Sequence, residues 1–76
     1  NQTILDCEAG DDVVIVSIND QEKNFLKYAR SRHLVPGGRL KVISRIEVAN
    51  AMELQVAGQA AFSIGFEAAR KILVTL

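Results

Sequence analysis

The chain has 76 residues, enough for one domain but not two, and at this size a small apolar core must supply the stability. Nine basic residues balance nine acidic ones, so no overall positive charge favours nucleic acid. The single cysteine excludes an internal disulfide and a cysteine-pair metal site, and it fits a reducing compartment such as the cytoplasm. The longest apolar run, residues 13–16, is too short to cross a bilayer, so membrane insertion is not expected.

Charge is unevenly distributed along the chain. Residues 1–24 contain six acidic residues and one basic residue, whereas residues 25–45 contain six basic residues and no acidic one. The basic segment could form a face for nucleic acid or a solvated surface beside an acidic neighbour. Zero net charge and few aromatic residues favour the second interpretation, so we expect no direct nucleic-acid contact.

The first predicted elements are a turn, a strand and a helix. Glycine and acidic residues at 8–12 predict the turn. Residues 13–18 are almost entirely β-branched and predict a strand that is buried on both faces or central in a small barrel. Asn19 and Glu22 then stand three apart, the spacing of a capping box, and predict a helix that begins with Asn19 as its cap.

The helix is predicted to end at Ser31 or Arg32. His33 follows at the position where a left-handed residue usually closes a helix. Pro36 prevents the helix from continuing, Gly37 can adopt the positive φ of a type II turn, and Gly38 is expected to leave the turn flexible. Alternation and turn residues predict the remaining elements: strands at 39–47, 52–56 and 60–64, a helical turn at 65–70, and a last strand at 71–75.

This order of elements predicts a mostly β fold. We expect a small SH3-like five-stranded barrel, with one helix inserted after strand 1 and a short helical turn before the last strand. Closing the sheet removes the exposed edges that such short strands would otherwise present.

Catalysis is not expected, because the chain offers few reactive groups. Cys7 and His33 lie 26 positions apart, separated by a strand and a helix, and nothing orients the histidine as a base. The glycine pair after Pro36 lacks the further glycines and the lysine of a nucleotide loop. Cys7 is most simply a small, partly buried side chain.

Metal binding has more support. Asp20, Gln21, Glu22 and Asn24 place several oxygen donors within one turn, and divalent ions accept such ligands. The same residues could serve only as the start of a helix. We expect the cluster alone to hold a metal weakly, and to be able to complete a site whose other ligands come from elsewhere.

The chain resembles FeoA-type domains over nearly its whole length. The resemblance is carried by short motifs in the family's order and spacing: Gly10-Asp11 before the first strand, residues 25–29 (FLKYA), 34–37 (LVPG), 40–42 (LKV), 54–56 (LQV) with Gly58, and 69–74 (ARKILV). His33 is a departure, since the family usually has glycine there. The resemblance implies that residues 1–76 form a single domain of this type.

FeoA-type domains occur in two settings. One is the C-terminal domain of metal-dependent repressors similar to the diphtheria toxin repressor, and the FLKY sequence at 25–28 looks more like that version. The start at Asn1 rather than Met also suits a domain cut from a longer regulator. Its partners would be the regulator's DNA-binding and dimerisation domains. The alternative is a stand-alone accessory protein of ferrous iron transport, whose partner is the cytosolic domain of an iron permease.

The resemblance also implies an ancillary metal site. In some repressors the domain donates a glutamate and a glutamine three apart, just before the helix phenylalanine. Gln21 and Asn24 have that spacing here, with Glu22 beside them, and Glu22 is the ligand we favour. The parent protein would bind Fe²⁺ or Mn²⁺, and this domain alone would bind neither tightly.

Overall fold

The structure is a computed structural model that describes residues 2–76. Its ten elements follow one another closely along the chain. They are β1 (Gln2–Thr3), a first 3₁₀ turn (Ile4–Asp6), β2 (Asp12–Ile18), α1 (Lys23–Ser31), β3 (Arg39–Ile46), a second 3₁₀ turn (Glu47–Ala49), β4 (Ala51–Val56), β5 (Phe62–Gly65), α2 (Phe66–Ala69) and β6 (Ile72–Thr75).

The mostly β fold with one inserted helix is confirmed. The five predicted strands correspond to β2 to β6, α1 follows the first of them, and α2 precedes the last. The strands form one antiparallel sheet in the order β1-β6-β2-β3-β4-β5. The two-residue strand β1 was not predicted, because its only signal is its pairing with β6, where Gln2 lies opposite Val74.

The sheet is strongly curved. The molecule measures 28 × 26 × 24 Å, whereas a flat single sheet is only about 10 Å thick. The strand register shifts between Ile15 and Ser17 in β2 and between Val42 and Ser44 in β3, and bulges of this kind bend a strand and increase its twist. The sheet therefore wraps around one core, as an SH3-like barrel requires. None of the described helices is long and apolar enough to cross a membrane.

One face of each central strand contributes to this core. In β2, Val13 and Ile15 are buried, whereas Val14 is half-buried and Val16 is 46% exposed. The prediction that this strand is buried on both faces was wrong, because the outer face of a single curled sheet meets solvent. The alternative prediction, a strand central in a small barrel, was right, since β2 lies between β6 and β3 in the sheet. Among residues 2–76, fifteen side chains make up the core: Ile4, Cys7, Val13, Ile15, Ala29, Leu34, Leu40, Val42, Met52, Leu54, Val56, Ile64, Ala69, Ile72 and Val74.

The start of α1 differs from the prediction. Asn19 does not cap the helix: its backbone N–H donates to the carbonyl of Lys71 at 2.6 Å, which keeps the chain extended alongside β6. The helix consequently begins later, and Glu22 is the cap. Its carboxylate accepts from the backbone N–H of Asn24 at 3.1 Å and of Phe25 at 2.9 Å.

The end of α1 matches the prediction. The helix ends at Ser31, and His33 is left-handed with φ 60°. The N–H of His33 donates to the carbonyl of Arg30, and that of Leu34 donates to the carbonyl of Ala29, which together form a Schellman motif. Leu34 and Ala29 are both buried, so this motif also attaches the end of the helix to the core.

The predicted turn at Pro36 is confirmed as well. Gly37 has φ 88°, and the N–H of Gly38 donates to the carbonyl of Val35 at 2.9 Å, as in a type II turn. Gly38 is not a flexible exit, however. A Cβ there would lie 3.0 Å from the Val35 carbonyl oxygen, and the Gly38 carbonyl accepts from the N–H of Ile15 at 2.8 Å. Glycine is favoured because a side chain here would crowd the backbone of the turn itself, at the Val35 carbonyl.

Candidate functional site

The predicted ligands lie together at the start of α1. Gln21, Glu22 and Asn24 are all exposed, and the extended backbone of Glu22 marks the junction between the β2–α1 connection and the helix. Both carboxylate oxygens of Glu22 accept backbone N–H groups of the first turn. The segment thus presents two side-chain amides and one carboxylate to solvent, with the carboxylate held in place by the helix it caps.

Asp20 is committed to a different contact. One of its oxygens accepts from the backbone N–H of Glu22 at 2.8 Å, and the other lies 2.8 Å from the Lys71 ammonium. The hydrogen bond from Lys71, followed by that from Glu22, holds the pKa of the Asp20 carboxyl below its usual range. The Lys71 ammonium also lies 4.8 Å from the centre of the Phe25 ring. Asp20 therefore fixes the entry into α1 against the residue that precedes β6.

The donor set fits a divalent ion only in part. Amide and carboxylate oxygens suit Mn²⁺ and similar ions, and a carboxylate oxygen that accepts one N–H retains a second lone pair for a metal. The set carries a single negative charge, however. Among residues 2–76 there is no group of three or more histidine, cysteine, aspartate or glutamate side chains that could hold a metal ion. Gln21, Glu22 and Asn24 can thus contribute ligands to a site that another protein segment completes.

Cys7 and His33 have separate environments. Cys7 is 1% exposed, more deeply buried than expected, and its thiol donates to the Thr3 carbonyl at 3.6 Å. Burial, reinforced by the carboxylates of Asp11 and Asp6, raises the pKa of the Cys7 thiol. A buried thiol that stays protonated is a poor nucleophile. His33 is exposed, and its role in the structure is to close α1.

Arg45 is a structural residue that sequence reasoning missed. Its guanidinium donates to the Leu5 carbonyl at 2.6 Å, to the Cys7 carbonyl at 2.9 Å and to the Glu47 carboxylate at 2.8 Å. It also lies 5.2 Å from the centre of the Phe66 ring. Arg45 thereby ties the first 3₁₀ turn to the end of β3. Nothing local in the sequence marks this, because the accepting carbonyls lie far earlier in the chain.

A shallow groove of about 720 Å³ lies on the strands, away from the predicted ligands. It is formed by β2, β3, the end of β4 and Leu76, and its charged lining residues are Asp12, Arg39 and Lys41. None of Gln21, Glu22 and Asn24 lines it. The start of α1 and this groove are consequently separate features of the surface.

Comparison with protein families identifies the chain. The family model described as "FeoA domain" matches residues 2–76. The chain belongs to the FeoA domain family. The match includes the Pro36 turn and the closing strand of this FeoA domain, together with the left-handed residue His33.

Solved structures that share the FeoA fold fall into two groups. A manganese-dependent transcriptional repressor in complex with manganese is 27% identical, with a TM-score of 0.91, and the match covers 97% of this chain and 35% of the repressor. An iron uptake regulatory protein (FeoA) is 23% identical with a TM-score of 0.84, covering 97% of this chain and 93% of that one. A FeoA-like protein from Clostridium acetobutylicum is 17% identical with a TM-score of 0.85, and the match covers 99% of this chain and 85% of that protein.

The two groups differ in how much of the other protein this FeoA domain represents. It spans 35% and 41% of two manganese-dependent repressors, but most of the length of the FeoA proteins. No curated protein matches the chain. Part of a longer repressor and most of a FeoA protein are thus both represented among the structures that are similar to this chain.

Proposed function

We propose that this FeoA domain is the regulatory and interaction domain of a metal-dependent transcriptional repressor that responds to iron or manganese. In this role it modulates metal activation and the dimerisation and DNA-binding state of the parent protein. The observation that supports this most is the similarity to the manganese-dependent repressor, with 27% identity and a TM-score of 0.91. The partners are the regulator's own DNA-binding and dimerisation domains, the setting is the cytoplasm, and the domain performs no catalysis.

Gln21, Glu22 and Asn24 are, on this proposal, the domain's contribution to an ancillary metal site. Their exposure and oxygen donors support it, and Glu22 supplies the one negative charge. The other ligands come from the rest of the regulator. Because both Glu22 oxygens also cap α1, coordination would link the metal directly to the orientation of the helix.

The first experiment measures the length of the polypeptide that cells produce. An antibody against residues 1–76 is used to determine the mass of the protein in cells. A product two to three times longer than this chain is expected, consistent with the share of the repressors that the domain spans. A product of the size of this chain, 8.3 kDa, would contradict the proposal.

The second experiment tests the ancillary site in the complete regulator. Glu22→Gln is expected to raise the Mn²⁺ or Fe²⁺ concentration needed for half-maximal operator binding, because it removes the charged ligand. Glu53→Gln removes an equal charge from β4 instead of from the start of α1 and serves as the control. Equal metal requirements for the two variants would show that Glu22 is not a ligand while leaving the repressor proposal intact.

The second candidate is a stand-alone accessory protein of ferrous iron transport. It is favoured by one observation, the 93% coverage of the iron uptake regulatory protein. Its partner would be the cytosolic domain of a ferrous iron permease. If the protein made in cells has the size of this chain and captures the permease domain in a pull-down, the second candidate would be established and the first excluded.

A further inference from the structure

The solvent face of α1 combines one apolar side chain with a row of cations. Lys23, Leu26, Lys27 and Arg30 fall within an arc of about 100° on a helix with 3.6 residues per turn. All four are exposed, and Leu26 is 36% exposed. The opposite side of the helix faces the core through Phe25, Tyr28 and Ala29. We call Lys23, Lys27 and Arg30, with Leu26 among them, the basic stripe.

The basic stripe is electrostatically unfavourable within the domain. Lys23 and Lys27 are four residues apart, and Lys27 and Arg30 are three apart, so like charges are neighbours on the helix surface. None of the three is in an ion pair with any of the residues 2–76. By contrast, Arg45, Arg70 and Lys71 each have an acidic partner in this part of the chain. The positive charge of the stripe is therefore uncompensated.

A complementary surface lies on the segment that leads into β2 and on the first residue of that strand. Asp6, Glu8, Asp11 and Asp12 form what we call the acidic loop, and none of them is in an ion pair with a residue in the described range 2–76. The N–H of Gly10 donates to the Val42 carbonyl at 2.7 Å, which places the loop beside the bulge of β3. The next residue, Ile43, is 37% exposed. This surface also combines an exposed apolar side chain with charge, here of the opposite sign.

The two surfaces do not pair with each other within one molecule, since no ion pair joins them among residues 2–76. The acidic loop leads into β2 at Asp12, and the connection to α1 leaves β2 at Ile18. β2 thus separates the two segments along the chain, and exposed charges that are not directly paired are screened over about 8 Å at physiological salt. The loop and the stripe are therefore unpaired poles of opposite charge on a molecule with zero net charge.

We infer that the basic stripe of one chain docks on the acidic loop of a second copy of the same chain. Leu26 would meet the apolar surface at Ile43, and opposite charges would surround the contact, the arrangement of an apolar centre with a polar rim. The two poles differ, so the contact is head-to-tail rather than two-fold symmetric. A nucleic acid is a poorer occupant, because the four acidic residues and zero net charge oppose a polyanion. The inference does not depend on which function the domain serves.

Analytical ultracentrifugation of the full chain tests the association. The wild-type mass is expected to rise above 8.3 kDa with concentration in about 10 mM salt and to return to it in about 1 M salt. Lys27→Glu/Arg30→Glu is expected to weaken the association about tenfold or more. Arg32→Glu/Arg70→Glu is the matched control, because it reverses two exposed charges outside both the stripe and the acidic loop. Lys27→Glu/Arg30→Glu is called the stripe variant. If circular dichroism shows that the stripe variant does not fold, the milder Lys27→Gln/Arg30→Gln takes its place.

Mixing two variants gives the decisive result. The stripe variant keeps the acidic loop but changes the charge of the stripe from +3 to −1, and Glu8→Lys/Asp12→Asn keeps the basic stripe but reduces the charge of the loop from −4 to −1. Each alone should remain a monomer, while an equimolar mixture should form a dimer that cannot extend further. A mixture that stays monomeric, or a wild-type chain that stays monomeric in low salt, overturns the inference. Binding of a short DNA duplex by the stripe without self-association overturns it as well.

Discussion

His33 closes α1 in a backbone conformation that is unfavourable for a residue with a side chain. It occupies the left-handed position of a Schellman motif with φ 60°, where glycine is the usual choice. Its backbone N–H bond to the Arg30 carbonyl would be kept by any residue except proline. The side chain is exposed and is not required for packing. Histidine can therefore occupy this position, but glycine would adopt its left-handed conformation more easily.

His33→Gly should consequently stabilise the domain. Removing the Cβ relieves the left-handed strain, and the extra chain entropy of glycine offsets part of the gain, so the free energy of unfolding should rise by about 0.5–1 kcal/mol. Urea denaturation followed by circular dichroism measures this. Asn50, with φ 51°, provides the comparison: Asn50→Gly should gain less, because asparagine adopts this conformation more readily. A loss of stability in His33→Gly would show that the imidazole has a contact of its own.

Asp20 is a second residue whose contribution can be measured, through its pH dependence. Lys71 lowers the pKa of this carboxyl below its ordinary value of 3.8, so its stabilisation is present above that value and is lost as the pH falls through the lowered one. Asp20→Asn should therefore be less stable than wild type at neutral pH, and the difference should shrink below pH 3.8. Urea denaturation at a series of pH values provides the test. A difference that persists undiminished into acid would mean that the ion pair is not its cause; in a Lys71→Met background, Asp20→Asn should have a smaller effect.

At the scale of elements, α1 is attached to the sheet mainly at its two ends. Its only fully buried residue is Ala29, with Phe25 and Tyr28 partly buried against the core. The connection before it is fixed by the Asn19 N–H and by Asp20, and the Schellman motif fixes the end at Leu34. The cap at Glu22 therefore controls both where the helix begins and how it presents the candidate metal ligands.

Substitutions at Glu22 and Asn19 test which of the two residues caps α1. Glu22→Ala removes the acceptor for two backbone N–H groups and should lower the free energy of unfolding by about 0.5–2 kcal/mol. Asn19→Ala should change it by less than about 0.5 kcal/mol, because the backbone bond from Asn19 to Lys71 is kept. Thermal or urea denaturation of the two variants compares them directly. If Asn19→Ala proved the more damaging, the helix would begin as the capping-box spacing suggested.

Local chemistry explains which elements could be predicted from the sequence. Alternation placed β3 and β4 within a residue or so of their observed bounds, and Pro36 with Gly37 specified the turn between α1 and β3. The capping residue was missed because the choice between Asn19 and Glu22 depends on a bond to Lys71 in a distant part of the chain. β1 was missed for the same reason. The candidate ligands at 21–24 could be named from the family motif, and Glu22 was expected to take part in capping, but not to be the cap itself.

At the scale of the whole molecule, long cationic side chains connect the peripheral segments to the sheet. Lys71 lies over Phe25 and Arg32 lies 4.9 Å from the centre of the Phe62 ring, so both ends of α1 are attached in this way. Arg45 does the same for the first 3₁₀ turn. These contacts join segments that the strand ladder does not hold. Positive charge in this neutral chain therefore has two uses, attachment in some residues and an uncompensated surface on α1 in others.

The Arg45 attachment predicts a coupling between the end of β3 and the reactivity of Cys7. Arg45→Met keeps an apolar stem over Phe66 but leaves the Leu5 and Cys7 carbonyls without their donor, so the first 3₁₀ turn should open more often. Alkylation of Cys7, which is 1% exposed in the closed state, should become at least about tenfold faster under conditions where the chain stays folded. Glu47→Gln, which removes the ion pair but leaves both carbonyl contacts, is the control and should change the rate much less. Equal alkylation rates in wild type and Arg45→Met would show that the core around Cys7, and not Arg45, holds this segment in place.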